Sequence, residues 1–124
     1  MAAKKVLVLG NHSRLLLPNA LKNLGFVPEV RGSVLHCLLH LRNQHVAAVV
    51  VDRDFTHADV LEVFLNIKDI DDSLTVIIVG WLRNDNVEQI LKTQKQAVFV
   101  SETHNQEKLA NELADILKNE LSEN

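Results

Sequence analysis

The sequence predicts an α/β fold: a doubly wound, five-stranded parallel sheet with five helices, in three α/β/α layers. Three observations predict it. Short apolar runs alternate with stretches of helical periodicity along the whole 124-residue chain. The runs lack polar alternation, so both of their faces are expected to be buried, as in a parallel sheet wrapped by helices. Turn-forming residues stand at the ends of the runs, and right-handed crossovers then leave only a few doubly wound topologies.

Val6-Leu7-Val8-Leu9 is the first strand, stopped by Gly10-Asn11. Leu16, Ala20, Leu21 and Leu24 follow at helical spacing, and Gly25 supplies the stop. Pro18 would break a helix interior but fits a first turn, so this helix either starts late, near Leu17, or is kinked. Phe26–Val30 is the second strand, placed at a sheet edge because Pro28 cannot donate to a ladder. Ser33 is the N-cap of a helix reaching about Asn43. Ala47–Val51 is the third strand and leads into Asp52. Asp59–Ile70 carries Val60, Val63, Phe64 and Ile67 on one helical face, with Asp59 as N-cap. After the polar connector from Asp69 to Ser73, Leu74–Val79 is the fourth strand, closed by Gly80. Asn84-Asp85-Asn86 offers caps for a short helix around Val87–Thr93. Ala97–Val100 is the fifth strand, and the last helix runs from about Asn105 to Leu121 with Leu109, Leu113, Ile116 and Leu117 on its inner face.

Composition narrows the function classes. A chain of 13.9 kDa is expected to form one domain over residues 1–124. Thirteen basic and 16 acidic residues give a formal net charge of -3, so no basic field draws nucleic acid or an anionic membrane. Aromatics at 4% leave little for stacking on bases. The single Cys37 excludes an internal disulfide and suits a reducing compartment, and no apolar run is long enough for a bilayer. With Met1-Ala2-Ala3-Lys4-Lys5 leading directly into a strand, a cytoplasmic location is expected.

In open α/β sheets, ligands bind outside the carboxyl ends of the strands. Those ends carry Gly10, Asn11 and His12; Asp52, Arg53 and Asp54; Gly80 and Trp81; and Ser101 and Glu102. Here the chain resembles the receiver domains of bacterial two-component response regulators. The resemblance rests on Lys5-Val6-Leu7-Val8-Leu9, on Leu21-Lys22-Asn23-Leu24-Gly25-Phe26, and on Val49-Val50-Val51-Asp52 with Asp59 seven residues on. It covers nearly the whole chain and implies a flavodoxin-like sheet with strand order 2-1-3-4-5. It also implies phosphoryl transfer to the aspartate ending strand three, which is Asp52 here, with a divalent cation to bridge carboxylate and phosphoryl oxygens.

The family's other polar positions depart from its pattern. Gly10 and Asn11 stand where an acidic pair holds magnesium, and that hard cation favours carboxylates. Gly80 stands in place of Thr or Ser, Ser101 in place of Lys, and Glu102 in place of the following Pro. Val98 occupies the aromatic switch position. The expectation is therefore a degenerate receiver, not an enzyme, with Asp52 a strand-end carboxylate left by the fold. Magnesium enters only if the domain is phosphorylatable, with Asp52 and Asp54 as candidate ligands. Interaction with a protein in trans, such as a histidine kinase or an effector, is the expected work of a single receiver-like domain, or with a neighbouring domain if the chain is part of a longer protein. A homodimer is a further expectation. In the family, the surface formed by helix four, strand five and helix five often pairs domains. Trp81, Val98, Ala110, Ala114 and Leu121 are the candidate interaction residues.

Other groups are weaker. His36 and His40 share a helix face with Cys37 between them and His45 nearby, but zinc needs three or four converging ligands. With Leu35, Leu38 and Leu39 marking the core face, both histidines are expected to face solvent, and Val34, Cys37 and Leu41 extend the stripe into a wide apolar arc. His57 and Asp59 invite acid–base chemistry, but neither Ser13 nor Ser101 has the context of a nucleophile. Gly10 lacks the further glycines of a nucleotide fingerprint. Two alternatives stand beside the main reading: a divergent response regulator phosphorylated at Asp52, and a small α/β enzyme or ligand-binding domain using the strand-end crevice.

Overall fold

The computed structural model describes residues 4–11, 15–53, 59–80, 85–100 and 105–121. Five strands, β1 (Lys5–Leu9), β2 (Val27–Arg31), β3 (Ala48–Asp52), β4 (Val76–Val79) and β5 (Ala97–Val100), alternate with α1 (Leu16–Asn23), α2 (Val34–Asn43), α3 (Val60–Ile70), α4 (Asp85–Lys92) and α5 (Gln106–Leu121). The sheet is wholly parallel in the order β2-β1-β3-β4-β5. This is the predicted topology, with β2 and its Pro28 at an edge.

The two-residue repeat of a strand divides the core in two. Val6, Val8, Ala48, Val50, Ile77 and Val100 face α1 and α5, where they meet Leu17, Ala20, Leu21, Leu109, Leu113 and Leu117. Leu7, Leu9, Val49, Val51, Val76 and Ile78 face the opposite layer and pack with Cys37, Val63, Phe64, Ile67 and Leu91 from α2, α3 and α4. β3 is buried at every residue, which is why its sequence shows no polar alternation.

Several boundaries are set by local bonding. Helix α1 starts at Leu16 with Pro18 as its third residue. The first N–H groups of a helix have no internal partner, so Pro18 costs no bond and the helix need not start late. Its end is a Schellman motif: Gly25 N–H donates to Lys22 O at 3.0 Å and Phe26 N–H to Leu21 O at 3.1 Å, with Gly25 at φ 94°. Phe26, predicted as strand, is buried in this cap against the Leu21 core, and β2 begins one residue later. Leu74, also predicted as strand, belongs to a turn in which Ser73 N and Oγ donate to Asp71 Oδ1 at 3.1 and 2.7 Å.

The caps expected at Ser33 and Asp59 form, and Asn105 adds a third. Ser33 Oγ accepts from His36 N at 3.2 Å, and Asp59 Oδ1 accepts from Leu61 N at 2.9 Å and Glu62 N at 3.4 Å. Asn105 Oδ1 accepts from Lys108 N at 3.0 Å. The core face of α2 is one side of the expected arc and leaves out Leu35 and Leu39. Cys37 is buried and Val34, Leu38 and Leu41 pack beside it, whereas Leu35 is 65% and Leu39 46% exposed. The buried stripe follows the i, i+3, i+4, i+7 spacing of Val34, and a run rich in Leu does not reveal which stripe that is.

Candidate functional site at the carboxyl edge of the sheet

The strand order places the ends of β1, β3 and β4 side by side. Asp52 is the last residue of β3, opposite Val79 of β4. It is 8% exposed and is the one buried polar or charged residue among the described residues. Backbone bonds fix the surrounding edge: Gly10 N donates to Arg31 O at 3.0 Å, Arg53 N to Val79 O at 2.9 Å, and Gly80 N to Val100 O at 3.1 Å. The carboxylate therefore stands on a ladder continuous from β2 to β5.

Gly10 lies directly against Asp52. A β-carbon at Gly10 would sit 3.3 Å from Asp52 Cβ and 3.7 Å from its Oδ2, with Val8 Cγ1 at 3.5 Å. A residue with a side chain at position 10 would thus reach the Asp52 carboxylate, and glycine supplies none. Asn11 follows, half-buried. Across the site, Gly80 adopts φ 112°, a backbone state that a side chain makes costly. Ser or Thr at that position would be strained, so the absence of a hydroxyl there has a conformational reason.

A magnesium ion takes near-octahedral oxygen coordination and is usually held by one or two carboxylates plus water. Among the described residues, no group of three or more His, Cys, Asp and Glu is placed to hold a metal. These residues do not fit a cation site built on an acidic pair at positions 10 and 11, because Gly10 has no side chain and Asn11 offers only a neutral oxygen. Asp54, Trp81, Ser101, Glu102, His57 and Ser13 lie outside the described residues.

The remaining candidates disperse. Val98 is half-buried on β5, on the same face as Val100. Ala110 packs against the α1/α5 core, and Ala114 is half-buried. Leu121 ends α5, and its side chain lies outside the described residues. His36 is exposed and, among the described residues, shares no metal cluster with Cys37, whose thiol burial pushes up to about 11 against a smaller lowering by Arg31. His40 does not face solvent as expected. It turns to the edge strand, where its Nδ1 lies 3.2 Å from Arg31 Nη2. Period-two alternation places Glu29 and Arg31 on the α2 side of β2, but no sequence pattern joins them to His40. A groove of about 310 Å³, lined by Leu41, His45, Val46, Ile70, Asp71 and Leu74, opens at the other end of the sheet, away from Asp52.

The chain has the flavodoxin-like fold seen in CheY-like receiver domains. Among solved structures it is similar to a response regulator receiver domain protein from Methanospirillum hungatei JF-1, with 16% identity, a TM-score of 0.76, and coverage of 95% of this chain and 96% of that one. Chemotaxis protein CheY4 of Vibrio cholerae, crystallized at low pH, aligns with a TM-score of 0.77 at 16% identity over 94% of this chain and 100% of its own. The receiver domain of sensor histidine kinase PA1611 from Pseudomonas aeruginosa PAO1, which has a magnesium ion coordinated in its active site cleft, aligns at 14% identity with a TM-score of 0.72, over 92% of this chain and 97% of that one. No protein-family model matches the chain. No curated protein matches it either. Among the described residues, no helix is long and apolar enough to cross a membrane.

Proposed function

We propose that this chain is a receiver-like signalling or regulatory domain that acts through protein–protein contact, without magnesium-dependent phosphorylation of Asp52. The observation that carries this is Gly10. A β-carbon at this position would lie 3.7 Å from Asp52 Oδ2, where a receiver's acidic residue would bring its own carboxylate to a shared cation. Removing charged groups that stabilise a developing phosphoryl charge typically costs orders of magnitude in rate. Gly80 supports the reading, since its positive φ disfavours the hydroxyl-bearing residue that would grip a phosphoryl oxygen. Partners in trans, such as a histidine kinase or an effector, and self-association are part of the same proposal.

A second reading keeps Asp52 as phospho-acceptor. It draws on the nearly buried carboxylate at the end of β3 and on the likeness of this fold to the magnesium-bound PA1611 receiver domain. Incubating the full chain with magnesium and a small acyl phosphate, followed by intact-mass measurement, separates the two. Our proposal expects no adduct. A stable, metal-dependent phosphate adduct that disappears in Asp52→Asn would overturn it.

A further inference from the structure

A second polar assembly lies on the α2 side of the sheet edge, and the proposed function does not use it. Arg31, the last residue of β2, donates from Nη1 to Val30 O at 2.9 Å. Its Nη2 lies 3.7 Å from Glu29 Oε2, and Glu29 Oε1 in turn lies 3.8 Å from Lys5 Nζ. The same Nη2 lies 3.2 Å from Nδ1 of His40 on α2. A guanidinium is always protonated and only donates. His40 Nδ1 must therefore accept, which fixes a neutral imidazole with its proton on Nε2. That Nε2 is buried and has no hydrogen-bond partner among the described residues.

We propose that the Arg31–His40 bond is an acid-sensitive latch that holds α2 against the edge strand. Protonation puts a second N–H on Nδ1, so donor faces donor and two cations meet at 3.2 Å in place of a hydrogen bond. The groups facing His40 do not offset this. Arg31 and Lys5 repel the added charge, and Glu29 alone attracts it while already lying near both cations. On α2 itself, His36 lies one turn away and is exposed, and Cys37 is a neutral thiol. Burial lowers the His40 pKa, and Arg31 adds to that lowering, so the latch is closed at neutral pH. Arg31 also connects the latch to the carboxyl edge, because its backbone oxygen holds Gly10 N at 3.0 Å. The inference does not depend on whether Asp52 takes a phosphoryl group.

Cys37, one turn before His40 and 1% exposed, reports the state of α2. The test measures the reaction of this single cysteine in the full chain with 4,4'-dithiodipyridine, divided by the rate in urea-unfolded chain at the same pH. Linkage predicts that the relative rate rises by up to about tenfold per pH unit below about 6.5, until folded His40 is itself protonated. His40→Gln keeps an acceptor for Arg31 but cannot take the proton, so its relative rate is expected to stay within about twofold over that range. Imidazole nitrogen NMR is expected to show the Nε2–H tautomer at neutral pH, with titration below the ordinary histidine range that moves upward in Arg31→Met. Equal pH dependence of Cys37 access in wild type and His40→Gln would overturn the latch. So would an Nδ1–H tautomer at neutral pH.

Discussion

At position 10, the missing side chain governs the chemistry at Asp52. Gly10→Asp would place a carboxylate beside Asp52, with its β-carbon 3.3 Å from the Asp52 Cβ. Two carboxylates at that range repel, and the fit is tight. The variant is expected to lose about 1–3 kcal/mol without metal. Magnesium then has two anionic ligands to bridge, so the thermal midpoint of Gly10→Asp should rise with magnesium while that of the wild type stays level. A wild-type midpoint that rises equally would show that Gly10 does not limit cation binding. At position 80 the constraint is conformational. Gly80→Ala is expected to cost about 1–2 kcal/mol in urea unfolding, because a β-carbon is disfavoured at φ 112°. Gly80→Thr should cost at least as much, since a β-branched residue tolerates positive φ less well.

At the scale of the element, α2 separates two kinds of leucine. Leu35 is 65% exposed, whereas Leu41 packs on the α2/α3 core. Leu35→Glu is expected to shift stability by no more than about 0.5 kcal/mol, and Leu41→Ala to cost about 2 kcal/mol. The opposite ranking in urea unfolding would place Leu35, not Leu41, on the core face. The same helix gives the fold a pH dependence. Burial, then Arg31 and Lys5, lower the His40 pKa, while Glu29 opposes them. The unfolded chain therefore binds this proton more readily than the folded one. The stability linked to His40 is complete above the unfolded value of about 6.5 and is lost as pH falls from there toward the folded value. Urea midpoints of wild type should thus decline more steeply than those of His40→Gln across that window.

For the whole molecule, one sheet separates two apolar cores. Phe64 is the largest fully buried side chain of the first, and Leu113 is fully buried in the second. Phe64→Ala is expected to cost about 3–5 kcal/mol and Leu113→Ala about 2–5 kcal/mol, a large part of the roughly 5–15 kcal/mol that holds a domain of this kind together. The two residues share no cluster, so their costs should add to within about 0.5 kcal/mol in a double-variant cycle. A larger deficit would mean that the sheet transmits strain from one core to the other.

Much of this molecule was legible in its sequence because the signals are local. The unbroken, valine-rich run Ala48-Val49-Val50-Val51 reads as a strand covered on both faces. Pro28 marks an edge because it lacks an N–H, and Ser33, Asp59, Asn105 and Gly25 act within a few residues of themselves. The sequence by itself thus determined the alternation of elements, the parallel sheet, and the position of Asp52 at the end of β3. Only the tertiary structure decided which stripe of α2 is buried, that Gly10 lies against Asp52, and that His40 meets Arg31. These depend on groups that are distant in sequence. Packing between layers and charges brought together across strands leave no periodic trace in a single chain, whereas caps, turns and strand alternation do.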